Sequence, residues 1–214
     1  MKVLGISGSP RKSGNTDILL GEALAGARKA GAETELVVVR DWQIQPCEGC
    51  RTCAREGKCH IKDDMQVLYP KLLNTDGMIY GTPVYMWSMT GMLKIFLERT
   101  TALGFPQRRL ANKVGGIIVV AGRTGVTLTS SLFYVYFANM QMFATDYVNG
   151  FAEDKGSIRK DKHAMKSAWE LGRQVTSLIK GGTKYPADYG DRLYRYVQQT
   201  YGVPVCPVDQ PKEE

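Results

Sequence analysis

Short β-type runs alternate with helical periods from the first residues onward, and this alternation constrains the fold more than any other feature. Residues 2–7 predict a short buried strand, residues 8–14 a loop, and residues 15–30 a helix with Ile18, Leu19, Ala23, Leu24 and Ala27 near helical spacing. Gly31 closes that helix, and residues 34–39 read as a second strand. Next come a helix over 64–73 capped by Asp63 or Asp64, a third strand over 76–81, and a helix through Leu93, Phe96 and Leu97. Residues 113–121 carry Ile117, Ile118, Val119 and Val120 in succession, the mark of a central parallel strand. A helix over 129–142, a weak fifth strand over 145–148 and an amphipathic helix over 160–179 complete the series. Such alternation predicts an α/β fold, a parallel sheet covered on both faces. Ligands on these sheets sit at the carboxyl ends of the strands, near the topological switch point. Three loops leave strands at that edge, residues 7–16, 82–88 and 121–125, all rich in Gly, Ser, Thr or Pro.

One domain over residues 1–180 is expected. Residues 181–214 differ in kind, with Tyr185, Tyr189, Tyr194, Tyr196, Tyr201 and four prolines, and read as an extended arm suited to a neighbouring subunit. A hydrophobic share of 43% supports a core without disulfides. No apolar run approaches the roughly 20 residues of a membrane span. The first residues run directly into a glycine loop and leave no room for a secretory apolar segment. A cytoplasmic location is therefore expected, where clustered cysteines are metal or redox sites rather than bridges. The net charge is +7, densest over residues 155–166. That stretch reads as a solvated helix face, or as an attraction for an anionic cofactor or acidic redox partner. No recognition pattern for nucleic acid accompanies it.

Cys47, Cys50, Cys53 and Cys59 are spaced C-x2-C-x2-C-x5-C. Two-residue gaps let successive sulfurs converge, and the five-residue gap lets the chain swing round to the fourth. Gly49 and Gly57 ease the backbone, and Arg51, Arg55 and Lys58 offset thiolate charge. Four thiolates suffice for a cubane iron–sulfur cluster. A structural zinc site normally separates two C-x2-C pairs by a longer stretch, which this is not. Redox-active pairs, Cys47/Cys50 or Cys50/Cys53, and unused thiols stay open on spacing alone. His60 adjoins the last cysteine and reads as a solvent-side residue, with a role as an alternative ligand left open, and Cys206 carries no assigned role. With two histidines and neither a serine elbow nor a carboxylate dyad, hydrolytic chemistry has no support.

The loop over 7–16, Ser-Gly-Ser-Pro-Arg-Lys-Ser-Gly-Asn-Thr, opens a helix whose N-terminal N–H groups suit a phosphate. Ser9, Ser13 and Thr16 supply hydroxyls, Asn15 an amide and Arg11 a charge. It lacks both the Gly-Lys-Ser/Thr ending of an ATP loop and the G-x-G-x-x-G of a dinucleotide fold, so a phosphate monoester fits better. An empty capped turn is the alternative.

This loop, together with Thr82-Pro83-Val84-Tyr85 and Leu93-Lys94-x-Phe96-x-x-Arg99, resembles the flavodoxin-like NADPH-dependent FMN reductase family. The cysteine loop followed by Asp63-Asp64-Met65 is similar to its iron–sulfur flavoprotein branch. The resemblance covers about residues 1–180 and implies a three-layer fold, its five-stranded parallel sheet in the order 2-1-3-4-5. It implies FMN, with phosphate contacts at Ser9, Arg11, Asn15 and Thr16. It also implies ring and ribityl contacts from Pro83, Val84, Tyr85, Met86 and Gly122. Residues 83–87 supply a flat apolar wall for such a ring, on which Tyr85 and Trp87 can stack. Spacing and resemblance together imply a [4Fe-4S] cluster on Cys47, Cys50, Cys53 and Cys59. A homodimer or homotetramer with the flavin near a subunit interface is implied as well. The expected activity moves electrons between a one-electron donor such as a ferredoxin and a two-electron acceptor. The alternatives are a cluster-free NAD(P)H-dependent flavin or quinone reductase and a non-enzymatic redox carrier or sensor.

Overall fold

The structure is a computed structural model and describes residues 1–104 and 108–186. Cys206 and the tyrosines of the arm beyond Tyr185 lie outside those residues. Five strands, β1 (Lys2–Ser7), β2 (Glu33–Val38), β3 (Gly77–Pro83), β4 (Val114–Ala121) and β5 (Phe143–Phe151), pair in parallel in the order β2-β1-β3-β4-β5. The flavodoxin-like order expected from the resemblance is the one observed.

The two-residue period of each strand decides which helices it meets. Val3, Ile79, Ile118 and Val120 point to one face, covered by α1 (Asn15–Lys29) and α7 (Lys162–Gly181). Leu4, Ile6, Met78, Tyr80, Ile117 and Val119 point to the other, covered by α3 (Met65–Leu73), α4 (Gly91–Arg99), the short α5 (Thr101–Gly104) and α6 (Val126–Met140). Both faces are sealed, which is why the central strands are apolar without alternation. The chain first turns outward from β1 to β2 and then inward to β3, so the switch point lies between β1 and β3.

Two elements depart from the sequence reading. β5 runs nine residues, from Phe143 to Phe151, rather than four. It is an edge strand, and a register shift against β4 between Gly115 and Ile117 breaks its alternation, hiding it in the pattern. α6 starts at Val126 rather than 129, because the hydroxyls of Thr129 and Ser131 donate to the carbonyls of Gly125 and Thr127 (both 2.9 Å) instead of capping a later start.

α1 and α7 cross at glycines. A Cβ on Gly172 would stand 1.7 Å from the Ala23 carbonyl oxygen, and one on Gly26 would stand 1.9 Å from that of Trp169. Backbone lies on both sides, so no rotamer change relieves the clash. Gly172→Ala is expected to lower stability by at least roughly 1–3 kcal/mol, read as a lower urea midpoint. An unchanged midpoint would show that the helices can separate at no cost.

Candidate functional site

The loop after β1 is held from beneath by a carboxylate. Asp17 Oδ1 accepts from Ser7 Oγ (2.5 Å) and Asp17 Oδ2 from the Ser13 N–H (2.9 Å). Arg40, in the turn after β2, pairs with Asp17 (3.0 Å) and donates to the Ser9 carbonyl (2.9 Å). The Ser9 N–H donates to Ser7 Oγ (3.3 Å). α1 starts at Asn15 with Gly14 before it and no side-chain cap, so its first N–H groups face the loop unpaired by side chains. The chain thus prepares an anion cradle whose own negative charge is already neutralised by Arg40. Asp17→Ala is expected to weaken FMN binding about tenfold, the worth of roughly 1.4 kcal/mol of lost preorganisation, measured by flavin fluorescence titration. Wild-type affinity in that variant would mean the loop holds its shape unaided.

A cleft of about 260 Å³ opens beside this cradle, lined by Ser9, Arg11, Asn15, Thr16, Pro83, Val84, Tyr85, Gly122, Val120, Ala152, Glu153 and Lys155. Three loops from three separate strands meet there, as read from the sequence. A fourth wall, the stretch after β5, was missed. Asn15 Nδ2 donates to the Asp154 carbonyl (2.8 Å), and Asn15 Oδ1 accepts from the Gly156 N–H (2.7 Å). The Asn15 carboxamide is therefore committed to that wall, and what this residue offers the cleft is backbone. Arg11 reaches the same wall, donating to the Glu153 carbonyl (3.2 Å). Lys155, from the basic stretch, lines the cleft.

Met86 and Trp87 do not line the cleft. They form the tip of a tight turn in which Tyr85 and Ser88 exchange hydrogen bonds (2.8 and 3.1 Å), with φ of 47° and 64° at the two central residues. Both positive angles match a type I′ turn, which normally calls for Asn or Gly. Non-glycine residues there carry strain of order 1–3 kcal/mol each, a feature concentrated at functional loops. The turn leaves Met86 83% and Trp87 60% exposed. Gly125, at φ 90°, packs beneath it, and a Cβ there would meet the Trp87 backbone at 3.2 Å.

The cysteine loop carries one short helix, α2 (Thr52–Glu56), bracketed by left-handed residues Arg51 and Gly57, with Gly49 also at positive φ. None of the four described cysteines is in a disulfide. Cys47 and Cys50 are exposed, whereas Cys53 and Cys59 are half-buried against the core under α3 and α4. Burial raises the Cys53 pKa, and the nearby thiols of Cys59, Cys47 and Cys50 raise it further. The charges of all three partners are therefore felt at Cys53, although among the described residues no three of these sulfurs lie within 4.8 Å of one another. Cys50 is lowered, chiefly by hydrogen bonds from the Thr52 hydroxyl and backbone. An all-sulfur donor set whose like charges repel is one that a cationic metal core relieves. His60 is exposed and pairs with Glu48 at 3.2 Å, in a surface group that also includes Cys50.

Two arginines, Arg99 buried and Arg109 half-buried, fasten this loop, and neither role was read from the sequence. Arg109 donates to the carbonyls of Gly57 (2.8 Å) and Ala102 (2.6 Å). Arg99, 1% exposed, donates through Nη1 to Asp63 Oδ2 (2.5 Å) and the Gln45 carbonyl (2.8 Å). Its Nη2 donates to Asp63 Oδ1 (3.1 Å) and to the Cys59 sulfur (3.5 Å). Burial opposes the charge on both partners. The bonds to Asp63 nonetheless raise Arg99, and those from Arg99 and the Gln45 N–H leave Asp63 below its usual range. The positive group touching a cysteine sulfur is thus Arg99 rather than Arg51, Arg55 or Lys58. Arg99 ends α4. At the other end its N-cap, Thr90, donates to the Gly8 carbonyl (2.7 Å). A nine-residue helix of about 13 Å therefore ties the anion cradle to the cysteine loop.

The profile of the NADPH-dependent FMN reductase family matches residues 1–153. The chain belongs to that family. It lies within the iron–sulfur flavoprotein branch and is a flavin-dependent oxidoreductase that uses FMN. It is 37% identical to an iron-sulfur flavoprotein of Methanocaldococcus jannaschii, over 84% of this chain and 98% of that protein. An iron-sulfur flavoprotein of Archaeoglobus fulgidus is 38% identical over 89% of this chain and 85% of its own length. The crystal structure of RosB superposes with a TM-score of 0.78 at 20% identity, covering 100% of this chain and 94% of that one, which speaks for the fold alone. The family match runs from β1 to the start of the fourth wall, so the three loops after β1, β3 and β4 fall inside it, and Lys155 lies just beyond. No helix among the described residues is long and apolar enough to cross a membrane.

Proposed function

We propose that this FMN reductase family member is an FMN- and [4Fe-4S]-containing oxidoreductase that passes electrons between a one-electron donor of ferredoxin type and a two-electron acceptor. The observation that carries the reading is a set of four free cysteines on one short loop, Cys47 to Cys59, tied through α4 to the flavin cleft. FMN supplies two-electron chemistry that can proceed singly, and a cluster supplies single-electron transfer. Ser9 and Thr16 bind the phosphate through hydroxyls at the α1 N-terminus, and Arg11 and Lys155 add charge at its rim. Asn15 positions the loop after β5 against that phosphate site. Pro83, Val84 and Tyr85 form the apolar wall for the ring, Gly122 leaves room beside Glu153, and Met86 with Trp87 cover the outer side. Cys47, Cys50, Cys53 and Cys59 are the cluster ligands, and the names of the two iron-sulfur flavoprotein relatives support the presence of an iron–sulfur group.

The functional domain is residues 1–180, acting in the cytoplasm as a homodimer or homotetramer. Exposed Leu128, Leu132 and Val135 on one side of α6, with Met86 and Trp87 nearby, support self-association. The test is anaerobic mixing with a chemically reduced ferredoxin on one hand and NADPH on the other. Flavin reduction by ferredoxin that disappears from iron-depleted protein is the expected result. NADPH oxidation at full rate by iron-free protein would instead identify a cluster-free reductase, and absence of turnover with any acceptor a carrier or sensor.

A further inference from the structure

We propose that Arg99 is a positioning residue for the cluster, holding the Cys59 sulfur by a hydrogen bond and raising the reduction potential of the iron it ligates. This rests on the cluster reading above and adds to it a residue outside the ligand set. The guanidinium is buried, yet its ion pair with Asp63 and its bond to the Gln45 carbonyl account for only part of its donors. Nη2 is shared between Asp63 and the Cys59 sulfur. Nε is buried and has no hydrogen-bond partner among the described residues. Buried donors are nearly always satisfied, so an orphan beside a sulfur ligand points to an acceptor that the loaded site supplies. A thiol is a weak acceptor. An iron-bound thiolate is a much better one, since charge-assisted hydrogen bonds are the stronger kind.

The rest of the constellation keeps this donor in place. Tyr69 Oη donates to the Arg99 carbonyl (3.0 Å), fixing the end of α4. Gln66 Nε2 donates to the carbonyls of Cys59 (3.2 Å) and Ile61 (2.6 Å), fixing the other side. Asp63 also accepts from the N–H groups of Gln45 (2.8 Å) and Met65 (3.1 Å), so the carboxylate that steers the guanidinium is itself locked. Hydrogen bonds to ligand sulfur stabilise the more negative, reduced cluster and so raise its potential.

The experiment uses anaerobically purified full-length protein, with iron content, circular dichroism, flavin content and the cluster potential measured on each sample. Arg99→Gln removes the charge, and Arg99→Gln combined with Asp63→Asn does so without leaving a buried carboxylate unpaired. In whichever of these folds with iron, the reduction equilibrium constant of the cluster should fall about tenfold, or about 59 mV for one electron. Arg99→Lys should recover more than half of that loss. Loss of iron with wild-type circular dichroism and flavin content supports the proposal in its stronger form, the ligand no longer being held. A potential within about threefold of wild type in equilibrium constant, iron being retained, overturns it. So does loss of iron only alongside loss of fold. Wild-type protein without iron would defeat the cluster reading itself, and that is decided before any Arg99 variant is made.

Discussion

Cys53→Ala is expected to abolish iron binding while FMN stays bound. Cys53 is half-buried on α2 and packed against the core, and the charges of the other three thiols all bear on it. A cubane missing one thiolate of four loses closure of its coordination, so the effect is all-or-none rather than graded. The flavin cleft does not lean on this residue. Its cradle is held by Asp17 and Arg40, its fourth wall by Asn15, and its apolar side by the turn after β3. The variant should show a flavin spectrum free of the broad visible absorbance of a cluster, with iron near zero. Full iron retention would remove Cys53 from the ligand set.

Asp63→Ala should cost the most stability of any single change around the cysteine loop, roughly 3–5 kcal/mol. It strands the Arg99 charge in a site where that side chain is 1% and the Asp63 side chain 4% exposed. It also deprives the N–H groups of Gln45 and Met65 of their acceptor. The acid limb of the stability profile carries the same signature. The folded Asp63 pKa is depressed, so the contribution of the pair is complete above the unfolded carboxyl value of about 3.9 and drains away as pH falls below it toward the folded value. Urea midpoints should therefore differ widely between wild type and variant at pH 7 and converge toward pH 3. A constant gap across that range would assign the loss to packing rather than charge.

The sheet was legible because its signal is periodic. Val3 against Leu4 and Ile117 against Ile118 sort to opposite faces by position alone, and unbroken apolar runs mark strands sealed on both sides. The strand order came from the resemblance rather than from periodicity. The cleft was legible in part, since a parallel sheet must bring the loops after β1, β3 and β4 to one edge, and Ser9, Thr16, Pro83 and Gly122 do line one cavity. What stayed hidden is pairing between residues far apart in the chain. Asp17 and Arg40 sit 23 residues apart and Asn15 and Asp154 139 apart, and neither pair has a local pattern to betray it. Arg99 did leave a signal: it lies three residues after Phe96, on the buried side of α4. A cation on an apolar stripe must find a buried anion, and Asp63 was within the same quoted motif set. β5 was shortened in the sequence reading because an edge strand with a register shift does not alternate cleanly.

The most direct test is the content of iron, acid-labile sulfide and FMN per chain after purification without oxygen. Four iron, four sulfide and FMN on the same polypeptide are predicted, with the metal lost on replacing any one of Cys47, Cys50, Cys53 or Cys59. A fully folded flavoprotein that carries zinc in place of iron, or no metal under any anaerobic reconstitution, would contradict it.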